Sequence, residues 1–373
     1  MTEAYYEIYL SNDRGERVAV LENFISFDLA LVANGYGPCT VLLDGIRYDI
    51  DLFDKDYRLE FERNGAVLGD APFLVTGKDI ELSGGEYRIT VEGLHANHLL
   101  DRPVIAYYAG SAPAASLVNQ PCDDLQKRIV RYNLGSLAQN GPHVLSVADD
   151  LRDLAAPDIS QWFTVAADSS EAPVTNKAFA RRRLLDVLNE IAETSYYKGS
   201  PLFFGLETND DGLLEFQTRI GQWGSDRRGD LVISPEFNNL VNGQVSWDWQ
   251  NEVTVGYALG SEENENRVVA AVQSPRATAT IFSWYERTYN ASNSSDSNLE
   301  SNAQALLNEN RQRLRMTGEV QETPSFQYGI DWSFGDRLDA AFLNWTGSVW
   351  LNRIKIRMDK KEEIRGAVEV IGE

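Results

Sequence analysis

Across 373 residues, 34 Lys plus Arg oppose 56 Asp plus Glu, and the formal net charge of -22 at pH 7 excludes tight, sequence-independent binding to a phosphate backbone. Hydrophobic residues at 43% and charged residues at 24% are the proportions of a folded chain, which excludes intrinsic disorder, and no apolar run reaches bilayer-spanning length. The length implies two or three domains, and the two cysteines, Cys39 and Cys122, are too few for a disulfide framework or a sulfur-ligated zinc site, which leaves them as small buried hydrophobes.

The opening, Met1 to Val20, has no basic stretch followed by an apolar core, so synthesis and folding in a cytoplasm are expected. The first hundred residues alternate with a period of two. In "YRLEFER", Tyr57, Leu59 and Phe61 fall on one face and Arg58, Glu60 and Glu62 on the other, ahead of an Asn64-Gly65 turn. "EYRITVEG" repeats the alternation with Tyr87, Ile89 and Val91 after Gly84-Gly85, which predicts a half-buried antiparallel sheet in a small barrel or sandwich. A short helix-like turn around Leu99 and Leu100 then precedes an apolar strand and a small-residue stretch, with a domain boundary expected near residue 111.

"CDDLQKRIVRYNLGS" predicts a helix buried through Leu125, Ile129 and Tyr132, with Asp123 and Asp124 in the first turn, where the helix dipole favours acids. Asn176 is the expected cap of a second helix, "KAFARRRLLDVLNEIAETS", whose buried stripe is Ala180, Leu184, Leu188 and Ile191. Directly after it, "PLFFGLETNDDGLLEFQTRIG" predicts a hairpin about Asp211-Gly212 in which Phe204 and Leu206 face Leu214 and Phe216. The middle of the chain is therefore mixed α and β.

Strands return from Asn238, in "GQVSWDWQNEVTVGYALG" and "NRVVAAVQS". The low-complexity run Asn290 to Asn298 is an expected flexible loop, followed by an amphipathic helix with Leu299, Ala303, Leu306, Leu307, Asn310 and Leu314 on one side. "VWLNRIKIRMD" and "IRGAVEVIG" predict closing strands joined by a polar turn from Asp359 to Glu363. The fold class is thus mainly β with an α+β middle region, and the absence of a short-period repeat argues against a solenoid or propeller.

Little of the chain offers chemistry. His95 and His98 share a helix-compatible spacing, but only His143 or a carboxylate could complete a metal set, so two polar residues on a surface turn are the better reading. No motif of the zinc-hydrolase, serine-hydrolase or phosphate-cradling kind occurs. Asp248, between Trp247 and Trp249, and the pair Asp331 and Asp336 are the candidate acids of a carbohydrate-binding protein or polysaccharide hydrolase, since tryptophan faces stack on sugars. Against this, two tryptophans two apart on a strand point to one side, more often into a core or interface. Arg181, Arg182 and Arg183 fan round a helix and suit ion pairs with Asp186 and Glu190 more than phosphate. The sequons at Asn290, Asn293 and Asn344 carry little weight without secretion.

The order of the elements carries more. The opening "YYEIYLSNDRGERVAVLENFISFDLALVANGYGPCTVLL" resembles the N-terminus of siphophage tail-hub proteins, the ReqiPepy-like baseplate hub family. Three further blocks resemble it in the same order: Asn97 to Ala114, Gly221 to Leu240, and "FQYGIDWSFGDRLDA", Phe326 to Ala340. The likeness is weakest at Asn140 to Thr175 and Val268 to Ser297.

The resemblance implies two small tail-tube-like β-barrels per chain: residues 1–111, and 236–373 with a loop and helix insertion at 287–316. Between them lies a mixed α/β domain, 112–235, whose strands at 202–220 could instead complete the first barrel. It implies a structural, non-enzymatic subunit without cofactor or metal, located at the tail tip of a virion. Three chains would form a ring that adapts a sixfold tail tube to a threefold tip around the DNA channel. The implied partners are further copies of the chain, a distal tail protein ring, a central tail-tip or fibre protein and the tape-measure protein, with neither sequence-specific nucleic-acid binding nor membrane insertion. A phage-derived injection machine or gene-transfer particle would use the same fold. Within "DWSFGD", Trp332 and Phe334 are expected to pack, Gly335 to permit a tight or positive-φ turn, and Asp336 to accept backbone hydrogen bonds.

Overall fold

The computed structural model describes residues 4–105, 116–135, 162–179, 182–261, 264–290, 299–311 and 313–369. His143, Ala180, Arg181, Asn293 and nearly all of the low-complexity run lie outside them. Eight strands open the chain: β1 (Tyr6–Ser11), β2 (Arg17–Val20), β3 (Phe24–Val32), β4 (Pro38–Asp44), β5 (Arg58–Arg63), β6 (Ala66–Val67), β7 (Phe73–Ser83) and β8 (Glu86–His95). The alternation makes them half-buried. Leu59 and Phe61 of β5 are core residues, and positive φ at Asn64 and Gly65 turns the chain into β6.

The middle holds β9 (Ser116–Pro121), α1 (Cys122–Asn133), β10 (Phe163–Val165), β11 (Val174–Ala178), α2 (Leu184–Tyr197), β12 (Leu202–Thr208) and β13 (Leu214–Ile220). Leu125 and Ile129 of α1 and Leu184, Val187, Leu188 and Ile191 of α2 pack on Phe204, Leu206, Leu214 and Phe216 in one core. The hairpin pairs Leu206 with Phe216 and Thr208 with Leu214, and β10 adds a parallel strand to β13.

The remainder comprises β14 (Val232–Ile233), β15 (Leu240–Asp248), β16 (Val255–Leu259), β17 (Val269–Gln273), β18 (Glu286–Asn290), α3 (Leu299–Glu309), β19 (Arg313–Gln321), β20 (Arg337–Phe342), β21 (Trp345–Met358) and β22 (Glu362–Glu369). Fourteen strands form one sheet, in the order β15-β19-β22-β21-β3-β4-β8-β7-β5-β1-β2, with β6, β14 and β20 off that path. The two ends of the chain meet where β21 pairs antiparallel with β3, from Arg353 opposite Val32 to Met358 opposite Phe27. One hydrophobic core, from Tyr6 to Val368, runs beneath both. A small sheet of β16, β17 and β18 is covered by Leu299 and Ala303 of α3.

Four expectations change. The second helix starts at Leu184 rather than beside Asn176, because residues 174–178 pair with β9 instead and strand pairing satisfies their backbone groups. The third helix ends at Glu309, and Leu314 lies in β19 opposite Trp247. Asp123 and Asp124 do more than complement a helix dipole, since both are buried. Asp123 accepts from the Ser169 hydroxyl and the Glu171 and Ala172 N–H groups, and Asp124 from the Ser169 and Ser170 N–H groups. Burial pushes the Asp123 carboxyl up, and these donors more than reverse it, leaving its pKa below the ordinary value.

Arg58 is the fourth. Alternation places it outside, yet it is 1% exposed, donating to Gly212 O at 2.7 Å and Asp13 O at 2.8 Å and so tying β5 to the β12–β13 turn. Asn34 and Asn97 make similar stitches from the first sheet to β12. Asn34 donates to Leu202 O and accepts from Phe204 N–H, while Asn97 accepts from Leu206 N–H. Across the sheet, Arg63 on β5 donates to both oxygens of Glu362 on β22, at 2.7 and 2.8 Å, and to Tyr328 O, while Glu362 also accepts from the Tyr6 hydroxyl.

Two predictions follow from these polar contacts. Arg58→Met leaves two carbonyls unpaired, so chemical denaturation should show a loss of about 3 kcal/mol, with an unchanged midpoint counting against the stitch. Burial opposes ionisation of Glu362, but hydrogen bonds from Arg63 and Tyr6 hold its folded pKa below the unfolded value of 4.5. Its contribution is therefore present above pH 4.5 and lost as pH falls through the folded pKa. Glu322 beside it is raised by burial and acts with the opposite sign. Unfolding measured down the acid range should accordingly show a shallower loss in Glu362→Gln than in the wild type, and superimposable slopes would contradict the assignment.

Candidate functional site

Chemistry-bearing residues converge where Gly221–Ser225, leaving β13, meets Ser333–Arg337, entering β20. Both segments are loops, so their backbone groups need partners outside any ladder. They supply them to each other. Gly224 N–H donates to Gly335 O at 2.9 Å and Arg337 N–H to Ser225 O at 3.0 Å, while Gly335 N–H and Leu351 N–H fix the loop to β21.

Asp336 closes the junction. It is 1% exposed, with Oδ1 accepting from Ser225 N–H at 2.7 Å and Oδ2 from Ser333 N–H at 2.8 Å. Burial raises its pKa against those two bonds and the nearby Arg227 charge. Gly335 has φ of 80°, and a Cβ there would lie 2.7 Å from Trp223 Cβ and 2.8 Å from Gly224 N. Trp223 fills the other side, packed with Phe203 and Trp350, with the Arg219 guanidinium 4.6 Å from its ring centroid and its indole N–H donating to Asp70. Trp350 mirrors it, donating to Gly221 O at 2.7 Å beneath the Arg337 guanidinium. Segments from the start, middle and end of the chain are thereby pinned at one point.

Trp332 lies deeper, 1% exposed, stacked on Phe326 at 5.4 Å between centroids and edge-on to Tyr328 at 5.0 Å. Asp331 Oδ2 accepts from Gln327 N–H at 2.8 Å and so shapes its own turn. Trp247, Asp248 and Trp249 are elsewhere, on and just beyond the edge strand β15. Both rings are exposed, at 44% and 52%, and Asp248 accepts from Gln250 N–H. The structure thus separates buried Asp336 from exposed Asp248.

His95 is not on a surface turn. It ends β8 buried edge-on against Phe73, accepts from Asn97 N–H, and burial lowers its pKa to about 4. His98 is half-buried against Tyr36. Arg182 does pair with Glu190, whereas Arg183 reaches Asp101 at 3.4 Å and not Asp186. Among the described residues, no group of three or more His, Cys, Asp or Glu could hold a metal ion, and no helix is long and apolar enough to cross a membrane. Sequence reading missed Trp223 and Gly224 as half of the junction. The available signal was a tryptophan between glycines in a polar loop, where an aromatic needs something to bury it.

The sequence model of the family described as siphovirus ReqiPepy6 Gp37-like protein matches residues 6–367. In fold, the chain is similar to a tail protein from Neisseria meningitidis MC58, with TM-score 0.52 at 12% identity over 98% of this chain and 96% of that one. It is similar also to the 43 kDa tail protein of prophage MuSo2 from Shewanella oneidensis, with TM-score 0.56 at 10% identity over 98% of each. A third similar structure is the prophage tail protein gp18 from Listeria monocytogenes EGD-e, with TM-score 0.53 at 12% identity over 97% of this chain and 94% of that one. No curated protein matches in sequence.

The junction geometry sets a graded test of stability. Gly335→Ala meets both a positive φ and backbone at 2.8 Å, so it should cost about 3 kcal/mol, while Asp336→Asn, which turns one acceptor into a donor facing an N–H group, should cost about 2 kcal/mol. Thermal and chemical unfolding of the two variants would measure this, and wild-type stability in both would show that the junction is not structural.

Proposed function

Because the chain belongs to the siphovirus ReqiPepy6 Gp37-like protein family, we propose that it is a structural protein of the phage tail, acting at the virion's tail tip as a non-enzymatic hub subunit. Three copies form a ring around the DNA channel, adapting a sixfold tube to a threefold tip. The observation that carries this reading is the β3–β21 seam, which joins strands from the two ends of the chain into one sheet. If residues 1–111 and 236–373 are two tube-like units flanking a mixed α/β domain at 112–235, three chains supply six such units. A distal tail protein ring would meet the sixfold side, and a central tip or fibre protein the threefold side, with the tape-measure protein as a further partner in the channel.

The absence of an enzymatic role is part of the same proposal. Asp336 spends both oxygens, and Asp331 one, on backbone N–H groups, which suits a rigid support better than proton transfer. Trp247, Asp248 and Trp249 sustain a second reading as a glycan site, because both rings are exposed. The same exposure suits a contact with a neighbouring subunit.

Native mass and negative-stain symmetry of the purified protein, alone and with its tube-end neighbours, separate the two readings. The expected outcome is a threefold ring with an open centre. A monomer at all concentrations, together with glycan retention lost in Trp247→Ala and Trp249→Ala, would replace the hub reading with the glycan one.

A further inference from the structure

An acidic protein has gathered basic residues on one sheet face. On β21, Ile354 and Ile356 point into the core while Arg353, Lys355 and Arg357 are exposed, and β22 adds Arg365 beside them. The chain as a whole carries -22. Here, with Arg315 of β19 on the same side, five cations meet three carboxylates, Asp28, Glu319 and Glu363, all contributed by β3, β19 and β22.

Those carboxylates are placed across strands from the cations. Lys355 Nζ lies 3.1 Å from Asp28, Arg365 lies 3.2 Å from Glu319 and also pairs with Glu363, and Arg357 stands in register with both Asp28 and Glu363. Pairs this exposed add little to stability, so stability does not account for collecting them. Their effect on a passing polyanion is larger. A bare row of cations would release counterions from DNA and hold it, and a bare row of acids would repel it within a Debye length of roughly 8 Å. Cations with carboxylates set beside them on neighbouring strands do neither.

The face also lacks what a protein partner would grip. On these four strands the one large exposed hydrophobic among the described residues is Ile25, near the start of β3; Ile281, Phe282 and Trp284 lie elsewhere, and next to the charges β3 and β4 present Ser26 and Thr40. We infer that this face of β19, β22, β21 and β3 is the surface past which duplex DNA moves, its cations masked by cross-strand carboxylates so that DNA is neither held nor repelled. The inference rests on the channel in the hub reading, and its test does not require a ring.

The test is anisotropy of a short labelled DNA duplex against the full-length protein. Wild type should show no binding. Asp28→Asn, Glu319→Gln and Glu363→Gln together should create binding, with a slope of log affinity against log salt of about -3. A charge-matched control, Glu22→Gln, Asp54→Asn and Asp210→Asn, should stay silent. If the first triple variant fails to fold, Thr40→Lys with Thr90→Lys adds cations to the same sheet face and should gain binding by the same mechanism. Binding by wild type, equal binding by the control, or silence of the folded unmasked variants overturns the inference. Threefold rings formed by a protein whose unmasked variants remain silent would remove this assignment alone and leave the hub reading intact.

Discussion

The structure depends on the pairing of β3 with β21. These strands lie more than three hundred residues apart in sequence, and six consecutive residue pairs join them. β21 makes this possible by its length, fourteen residues, which lets its first half pair with β20 while its second half lies between β3 and β22. A register irregularity between Leu351 and Arg353 separates the two halves. That bulge keeps Leu351 and Ile354 both in the core while the strand changes neighbours. Since the seam cannot form until nearly the whole chain exists, the fold is dominated by non-local contacts and should assemble slowly.

Around this seam, polar groups are used for position. Arg63 and Glu362 bridge β5 and β22 across the core, Asp123 and Asp124 hold the 169–172 loop against α1, and Asp336 joins the Trp223 loop to β20. Each buried charge has its hydrogen bonds filled, as a low-dielectric interior requires. The same saturation removes these groups from chemistry. What is left for function is surface: an edge strand bearing Trp247, a lobe with exposed aromatics, and a charged sheet face.

Strand alternation made much of this legible in advance. Leu59, Phe61, Ile89 and Val91 point inward because a two-residue period with one wet face leaves no other arrangement, and the Phe204 to Phe216 hairpin follows from its Asp211-Gly212 turn. The failures share one cause, a distant partner that outweighed a local preference. Arg58 is buried because carbonyls at 13 and 212 wait for it, Asn176 joins a strand because β9 needs an edge, and His95 is inside because Phe73 and Asn97 enclose it. In the junction, Asp336 had a readable turn, but its second partner, Ser225, comes from a loop more than a hundred residues away with no periodicity to reveal it.

The Arg58 stitch has an evolutionary consequence. Its acceptors are main-chain oxygens, at Asp13 and Gly212, and the same holds for Arg63 with Tyr328 and, as donors, for the amides bound by Asp336, Asn34 and Asn97. Only one side of each contact is written in side chains. The other side survives nearly any substitution, so drift at half of these positions leaves the docking untouched. A fold held in this way can keep its shape while almost every residue changes, which accords with its similarity in fold to structures at only 10 to 12% identity.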